Sequence, residues 1–229
     1  MRTGILIILL LYIQAGYAGV IINTTRVIFP GNQDSTEIQL TNSGEMPSLV
    51  QSWVDEGDIN SSPETTGAPF MVVPPVTRIA GSGGQQLKIR ILENSLPRDR
   101  ESVFYLNVVD IPAKTAVTGN MLQFALRTRI KLFYRPDTLP LSPDAVPEQI
   151  SVSLSGETLI LKNPAPYYFT LSALVSGDSD TPSHISTVML APYSESRAAY
   201  TGVLSAGESV TLVSINDEGR SVRTEKKLN

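Results

Sequence analysis

The chain has no cysteine and only one histidine among its 229 residues. Without cysteine there is no disulfide framework and no thiolate nucleophile, so the fold must be held by burial alone. The one histidine, His184, lies among turn-forming residues in DSDTPSHIS and reads as a loop residue. A metal site or a His-dependent catalytic set would have to rest on it alone, so neither a metal nor a cofactor is expected. Basic excess is missing too: 18 Lys and Arg against 22 Asp and Glu give a formal charge of −4. That sign argues against a nucleic-acid partner, because phosphate binding is carried by surplus Lys and Arg. There is no Gly-x-Ser-x-Gly elbow, and no carboxylate pair is spaced for acid–base work. Gly81, Gly83 and Gly84 in AGSGGQQ lack the third glycine of a dinucleotide loop and lie between strands, so they read as a hairpin turn. Asn23 and Asn60 head glycosylation triplets that matter only in a eukaryotic secretory pathway. An enzyme is disfavoured.

Long apolar runs are absent except at the start. Residues 1–18, MRTGILIILLLYIQAGYA, carry one Arg, an apolar run from Ile5 to Ile13, and small residues Gly16 and Ala18 ahead of Gly19. The run is too short to span a bilayer, and its flanks suit a secretory signal peptide cleaved after Ala18. Removing it leaves 211 residues with 17 basic against 22 acidic side chains, a charge of −5. An exported product with no integral membrane segment is expected.

The remaining chain alternates apolar and polar residues over short stretches, and nothing in it sustains a helical period. STEIQLTN, PSLVQSWVD, QQLKIRIL and SVFYLNVV read as strands, with turn chemistry at NSGEMP, EGDINSSPETTG and AGSGG between them. Pro136, Pro140, Pro143 and Pro147 then fall within twelve positions, which predicts a stiff linker or a loop-rich domain start. Alternation resumes in QISVSLSG, ETLILKN, YYFTLSALV, HISTVMLAP and SVTLVSI. Many short strands with regular turns predict an all-β protein of two sandwiches, residues 19–137 and 138–229. The longest alternation is MLQFALRTRIKLFYRP, residues 121–136. One of its sides is apolar (Leu122, Phe124, Leu126, Ile130, Leu132) and the other basic (Arg127, Arg129, Lys131). By default the apolar side would face the chain's own core.

Read in order, TTRVIFPG (24–31), QLTNSG (39–44), VQSWVD (50–55), VVPPVTRIAG (72–81), PRDRESVFYLNVVDIP (97–112), LQFALRTRIKLFYRP (122–136), NPAPYYFT (163–170) and INDEGR (215–220) resemble the periplasmic chaperones of chaperone–usher pilus assembly. The resemblance implies two immunoglobulin-like sandwiches set in an L. It also implies that residues 122–132 are lent to a pilus subunit lacking a strand, until an outer-membrane usher receives the complex. By motif position Leu122, Phe124 and Leu126 would fill the subunit's groove, whereas Ile130 and Leu132 are left open between partner and core. Arg26 and Lys131 would anchor the subunit's terminal carboxylate, and Arg127 and Arg129 are taken as solvated or rim charges. Glu101, Arg135 and Asp217 would form an ion network between the domains. The short segment AKTAVTGN resembles the short-loop branch, which tends to serve rod-like pili. A free chain could also cap its sticky strand by forming a homodimer. The competing class is an exported structural or adhesive fimbrial protein. Such a subunit should lack the Arg26/Lys131 pair and carry its donor strand at its own N-terminus.

Overall fold

The structure, a computed structural model, describes residues 19–113, 123–156, 158–176, 182–201 and 204–229. The proposed signal peptide lies outside them, and among the described residues no helix is long and apolar enough to cross a membrane.

The described residues of the first half form nine strands: β1 (Val20–Ile22), β2 (Arg26–Pro30), β3 (Ser35–Asn42), β4 (Ser48–Asp55), β5 (Phe70–Val73), β6 (Val76–Ile79), β7 (Gly84–Ile91), β8 (Ser102–Pro112) and β9 (Leu126–Arg135). They form two sheets, ordered β1-β3-β7-β5 and β2-β9-β8-β4-β6. Period-two alternation in β3 and β7 puts Ile38, Leu40, Leu87 and Ile89 inward, all nearly or wholly buried, while Glu37, Gln39, Lys88 and Arg90 stay outside. Opposite them, β2, β4, β8 and β9 contribute Phe29, Val50, Leu106 and Leu132 to the same core. Phe70 lies edge-on between Phe29 and Phe104, with ring centroids 5.3 and 4.9 Å away. Edge-to-face packing suits the aromatic quadrupole and adds about 1 kcal/mol per pair beyond area burial.

The proline-rich stretch forms a 3₁₀ turn (Pro143–Ala145) and one turn of helix, α1 (Val146–Gln149), which buries Val146. Beyond it lie β10 (Ser151–Ser155), β11 (Thr158–Asn163), β12 (Phe169–Ser176), β13 (Pro182–Ile185), β14 (Val188–Leu190), β15 (Ser194–Thr201), β16 (Ser209–Ile215) and β17 (Ser221–Lys227). They run in the order β10-β11-β15-β13-β12-β16-β17, with β14 also on β12, around a second core of Leu159, Leu161, Leu171, Leu174 and Leu212. The chain is thus nearly all β, with two separate hydrophobic cores.

His184 is not in a loop: it belongs to β13 and pairs with Thr201 of β15. Turn-forming neighbours mislead here because ladder hydrogen bonds from β15 and β12 hold the segment extended despite its composition. The β16–β17 turn brings Asp217 towards the first half. At its tip Gly219 has φ +78°, and a Cβ there would lie 2.2 Å from Thr25 Oγ1, so a glycine is required twice over.

Candidate functional site

Strand β9 has two unlike halves. Along its whole length it pairs antiparallel with β8, from Ser102–Tyr134 to Asp110–Leu126. On its other side β2 pairs parallel with it, but only from Arg26–Lys131 to Pro30–Arg135. Leu126–Ile130 therefore present a sheet edge with no strand beside them among the described residues. Such an edge offers a free row of backbone donors and acceptors to an incoming chain. The side chains follow the same division. Phe124 and Leu126 are 64% and 61% exposed, Ile130 is half-buried against the core, and Leu132 is fully buried in it. An open hollow next to this edge is lined by Gly19–Ile22, Thr24, Thr25, Asp110, Leu126, Thr128 and Ile130.

Regular strand starts at Leu126, later than the alternation at Leu122 predicts. Residues 123–125 are irregular, and Leu122 and most of AKTAVTGN lie outside the described residues. Pairing with β8 stops at Asp110–Leu126 although β8 runs on to Pro112, a residue with no N–H to give to a ladder. The Gln123 side-chain amide instead donates to the Pro112 carbonyl at 2.6 Å.

Where β2 begins, the register sets Arg26 directly beside Lys131. Arg26 donates through one terminal nitrogen to the Ile215 carbonyl at 3.2 Å, while its buried Nε has no partner. Burial, and then the neighbouring Arg26 charge, pull the Lys131 ammonium below its usual range. Burial likewise lowers Arg26, with Asp217 opposing. Two half-desolvated cations side by side, with donors unspent, make a site that gains from an anion.

The second charged group joins the two halves of the molecule. Arg135 Nε donates to Glu101 Oε1 at 2.7 Å, and its two terminal nitrogens donate to Asp217 at 2.7 and 3.0 Å. The other Glu101 oxygen accepts the Tyr168 N–H at 2.8 Å. Burial pushes the Glu101 carboxyl up against the pull of Arg135. Arg135, although desolvated, is held charged by Asp217 and Glu101. The guanidinium lies 5.1 Å over the Tyr167 ring, and Phe133 packs on Tyr168 at 5.7 Å. Phe133, on the strand's basic side, thus turns towards the second half.

Arg129 is not the solvated or rim charge that the sequence suggests, whereas Arg127 stays at the exposed rim while bonding its neighbours. Arg129 forks onto the fully buried Asp55, with Nε donating at 2.9 Å, and lies 3.7 Å over the Tyr105 ring. Arg127 donates to Asn107 Oδ1 at 3.0 and 2.8 Å and to the Ile59 carbonyl at 2.7 Å, and it stacks over Trp53 at 4.8 Å. Burial alone would raise Asp55, but hydrogen bonds from Arg129, Asn107 and the Gly57 N–H hold it below the usual carboxylate range. Part of the signal was available in the sequence: aromatic and acidic residues (Trp53, Asp55, Tyr105) on the predicted strands PSLVQSWVD and SVFYLNVV. What was missing was the strand order that puts them opposite two arginines.

The chain, nearly all β with two separate cores, has counterparts among known proteins. The N-terminal domain of the pili and flagellar-assembly chaperones (PapD N-terminal domain) matches residues 19–140. The C-terminal domain of the pili assembly chaperone PapD matches residues 145–226. The chain belongs to this family of pilus-assembly chaperones, which are periplasmic and non-catalytic. It is 36% identical over 208 residues to the chaperone protein MrkB of Klebsiella pneumoniae, covering 89% of this chain and 88% of the other. It is 38% identical over 229 residues to the probable fimbrial chaperone YadV of Escherichia coli, covering 94% and 92%. Among solved structures, the YadV chaperone superposes with a TM-score of 0.79 at 37% identity, over 92% of this chain and all of the other. The CupB2 chaperone of Pseudomonas aeruginosa also gives 0.79, at 31% identity, over 91% and all of it.

Proposed function

We propose that the protein is exported, loses residues 1–18, and escorts pilus subunits through the periplasm to an outer-membrane usher. It does so without catalysis or nucleotide, by lending the first part of β9 and the residues before it to a subunit that lacks a strand. The observation that carries this reading is the half-open edge, with Phe124 and Leu126 exposed at one end and Arg26 and Lys131 at the other. Backbone groups of Leu126–Ile130 would complete the subunit's ladder, and Leu122, Phe124 and Leu126 would fill its groove. Burying each of these side chains contributes roughly 1.5–3 kcal/mol, much of it offset by association costs. A terminal carboxylate between Arg26 and Lys131 would fix the register, and a one-residue slip would turn every groove filler away. Glu101, Arg135 and Asp217 would hold the angle between the domains. In the absence of a subunit, a second copy of the chain would cover the same edge.

The test is co-expression with the pilus subunits of the same source, followed by intact-mass analysis of what copurifies from the periplasm. Wild type is expected to retain one pilin-sized partner and Phe124→Asp to lose it, and sedimentation of the free proteins should show the dimer weakened. A partner retained equally by both proteins would rule out this edge.

A further inference from the structure

Three acidic side chains are buried among the described residues: Asp55, Glu101 and Asp110. Asp55 and Glu101 each hold an arginine. Asp110, 7% exposed, does not. One of its oxygens accepts the Ser48 hydroxyl and the other accepts the Val20 N–H at 2.8 Å, both neutral donors. In the ladder Asp110 stands opposite Val50 and Leu126, and the other ionisable side chain lining the hollow next to it is Glu45, an acid. A carboxylate buried without a cation is costly.

The chain segment against it is Gly19. A Cβ on Gly19 would sit 2.0 Å from Asp110 Oδ2, so no other residue fits without displacement. Covalent geometry puts a residue's nitrogen about 2.5 Å from its Cβ position, so the Gly19 nitrogen lies within about 4.5 Å of that oxygen. The Gly19 carbonyl is fixed by the Ser43 N–H at 3.2 Å and the Ser43 hydroxyl at 3.0 Å. The peptide that follows Gly19 is thus held through both its carbonyl and the Val20 N–H, with the Gly19 nitrogen beside an acid that has no counter-ion.

We propose that Asp110 is the receptor for the chain's own N-terminal α-ammonium, which comes into being when residues 1–18 are removed after Ala18. In the precursor the Gly19 nitrogen is a neutral amide. Cleavage makes it a cation, supplies Asp110 with its counter-ion, and ties β1 to β8 alongside the hollow next to the open edge. Removal of the leader therefore completes the wall of the subunit-binding groove. This rests on the export reading, and intact mass of the periplasmic protein tests that part separately: a first residue other than Gly19 would overturn the proposal.

The ion pair itself is tested with chains of defined start. Protein released from a cleavable fusion to begin at Gly19 is compared with protein carrying one extra glycine before it, each with Asp110 and with Asp110→Asn. The extra residue is expected to lower the folding equilibrium constant by about tenfold when Asp110 is present and to change it little in the Asn background. An equal effect in both backgrounds, or none in either, would overturn the proposal. Should Asp110→Asn fail to fold, the wild-type chain decides through its Gly19 ¹³Cα resonance. That resonance is expected to titrate above the ordinary α-amino value of about 8, and a midpoint at the ordinary value would refute the pair.

Discussion

The two halves of β9 have the same alternation and the same antiparallel neighbour, yet opposite fates. In the second half β2 closes the sheet, Leu132 is fully buried, and Arg135 is spent on Glu101 and Asp217. In the first half no strand lies on that side among the described residues, and Leu126 is 61% exposed. Side-chain direction is a property of the strand, but burial is a property of what lies next to it. The first half keeps its apolar side chains in water at a cost that a partner can relieve.

The largest effect is expected in the closed half. Leu132→Ala should destabilise the free protein by about 2–5 kcal/mol in urea unfolding, through lost burial and a residual cavity. Leu126→Ala should change it by less than about 0.5 kcal/mol. Equal losses would mean that the open half is packed in solution. Next comes the clamp that ties the first half to Asp55 of β4. Asp55→Asn leaves Arg129 partly buried and without its counter-charge, at a cost of roughly 3 kcal/mol.

The same clamp has a pH signature. Asp55 has a lower pKa folded than its ordinary value of 3.8, so its contribution is present above about pH 4 and lost as the pH falls through the lower folded value. Glu101 is shifted the opposite way. Its folded form favours the proton, so that contribution exists at low pH and disappears as the pH rises past its ordinary 4.5 and through the raised folded value. Unfolding curves between pH 2 and pH 6, about the range these carboxylates cover, should show less acid destabilisation in Asp55→Asn than in wild type. A parallel pH dependence in the two proteins would remove Asp55 from the acid response.

At the junction of the halves, Lys131→Ala should weaken subunit binding by about tenfold or more, the loss of one charge-assisted hydrogen bond. It should not destabilise the free chain, because removing one of two adjacent cations relieves their repulsion. Isothermal titration and urea unfolding separate the two effects, and a loss of stability without a loss of binding would make Lys131 structural. The smallest change is expected for Asp217→Asn. Its side chain is 35% exposed, and a screened pair of this kind contributes about 0–1 kcal/mol. Its consequence should be seen in the angle between the domains, by small-angle scattering, more than in stability.

Much of this was readable from residue patterns. STEIQLTN is β3 to the residue, and PSLVQSWVD and SVFYLNVV contain β4 and most of β8. Strand β17, SVRTEKK, was not legible, because a charged segment carries no alternation and becomes a strand only by pairing with β16. The partners of Arg127 and Arg129 were not legible for a related reason. Charge next to alternation looks like solvent, and only the order β9-β8-β4 brings Asn107, Tyr105 and Asp55 beneath them.

Composition and period decided what is local. They set the all-β class, the absence of disulfides, the apolar and basic sides of residues 121–136, and the motif order that resembles the family. Non-local pairing decided the rest: that β2 covers β9 only from Lys131 onward, that Leu132 is core while Leu126 is not, and that Arg26 stands beside Lys131. Alternation depends only on the backbone of one strand, whereas an open edge, a shared charge or a receptor for Gly19 depends on segments about 80 to 190 residues apart meeting in space.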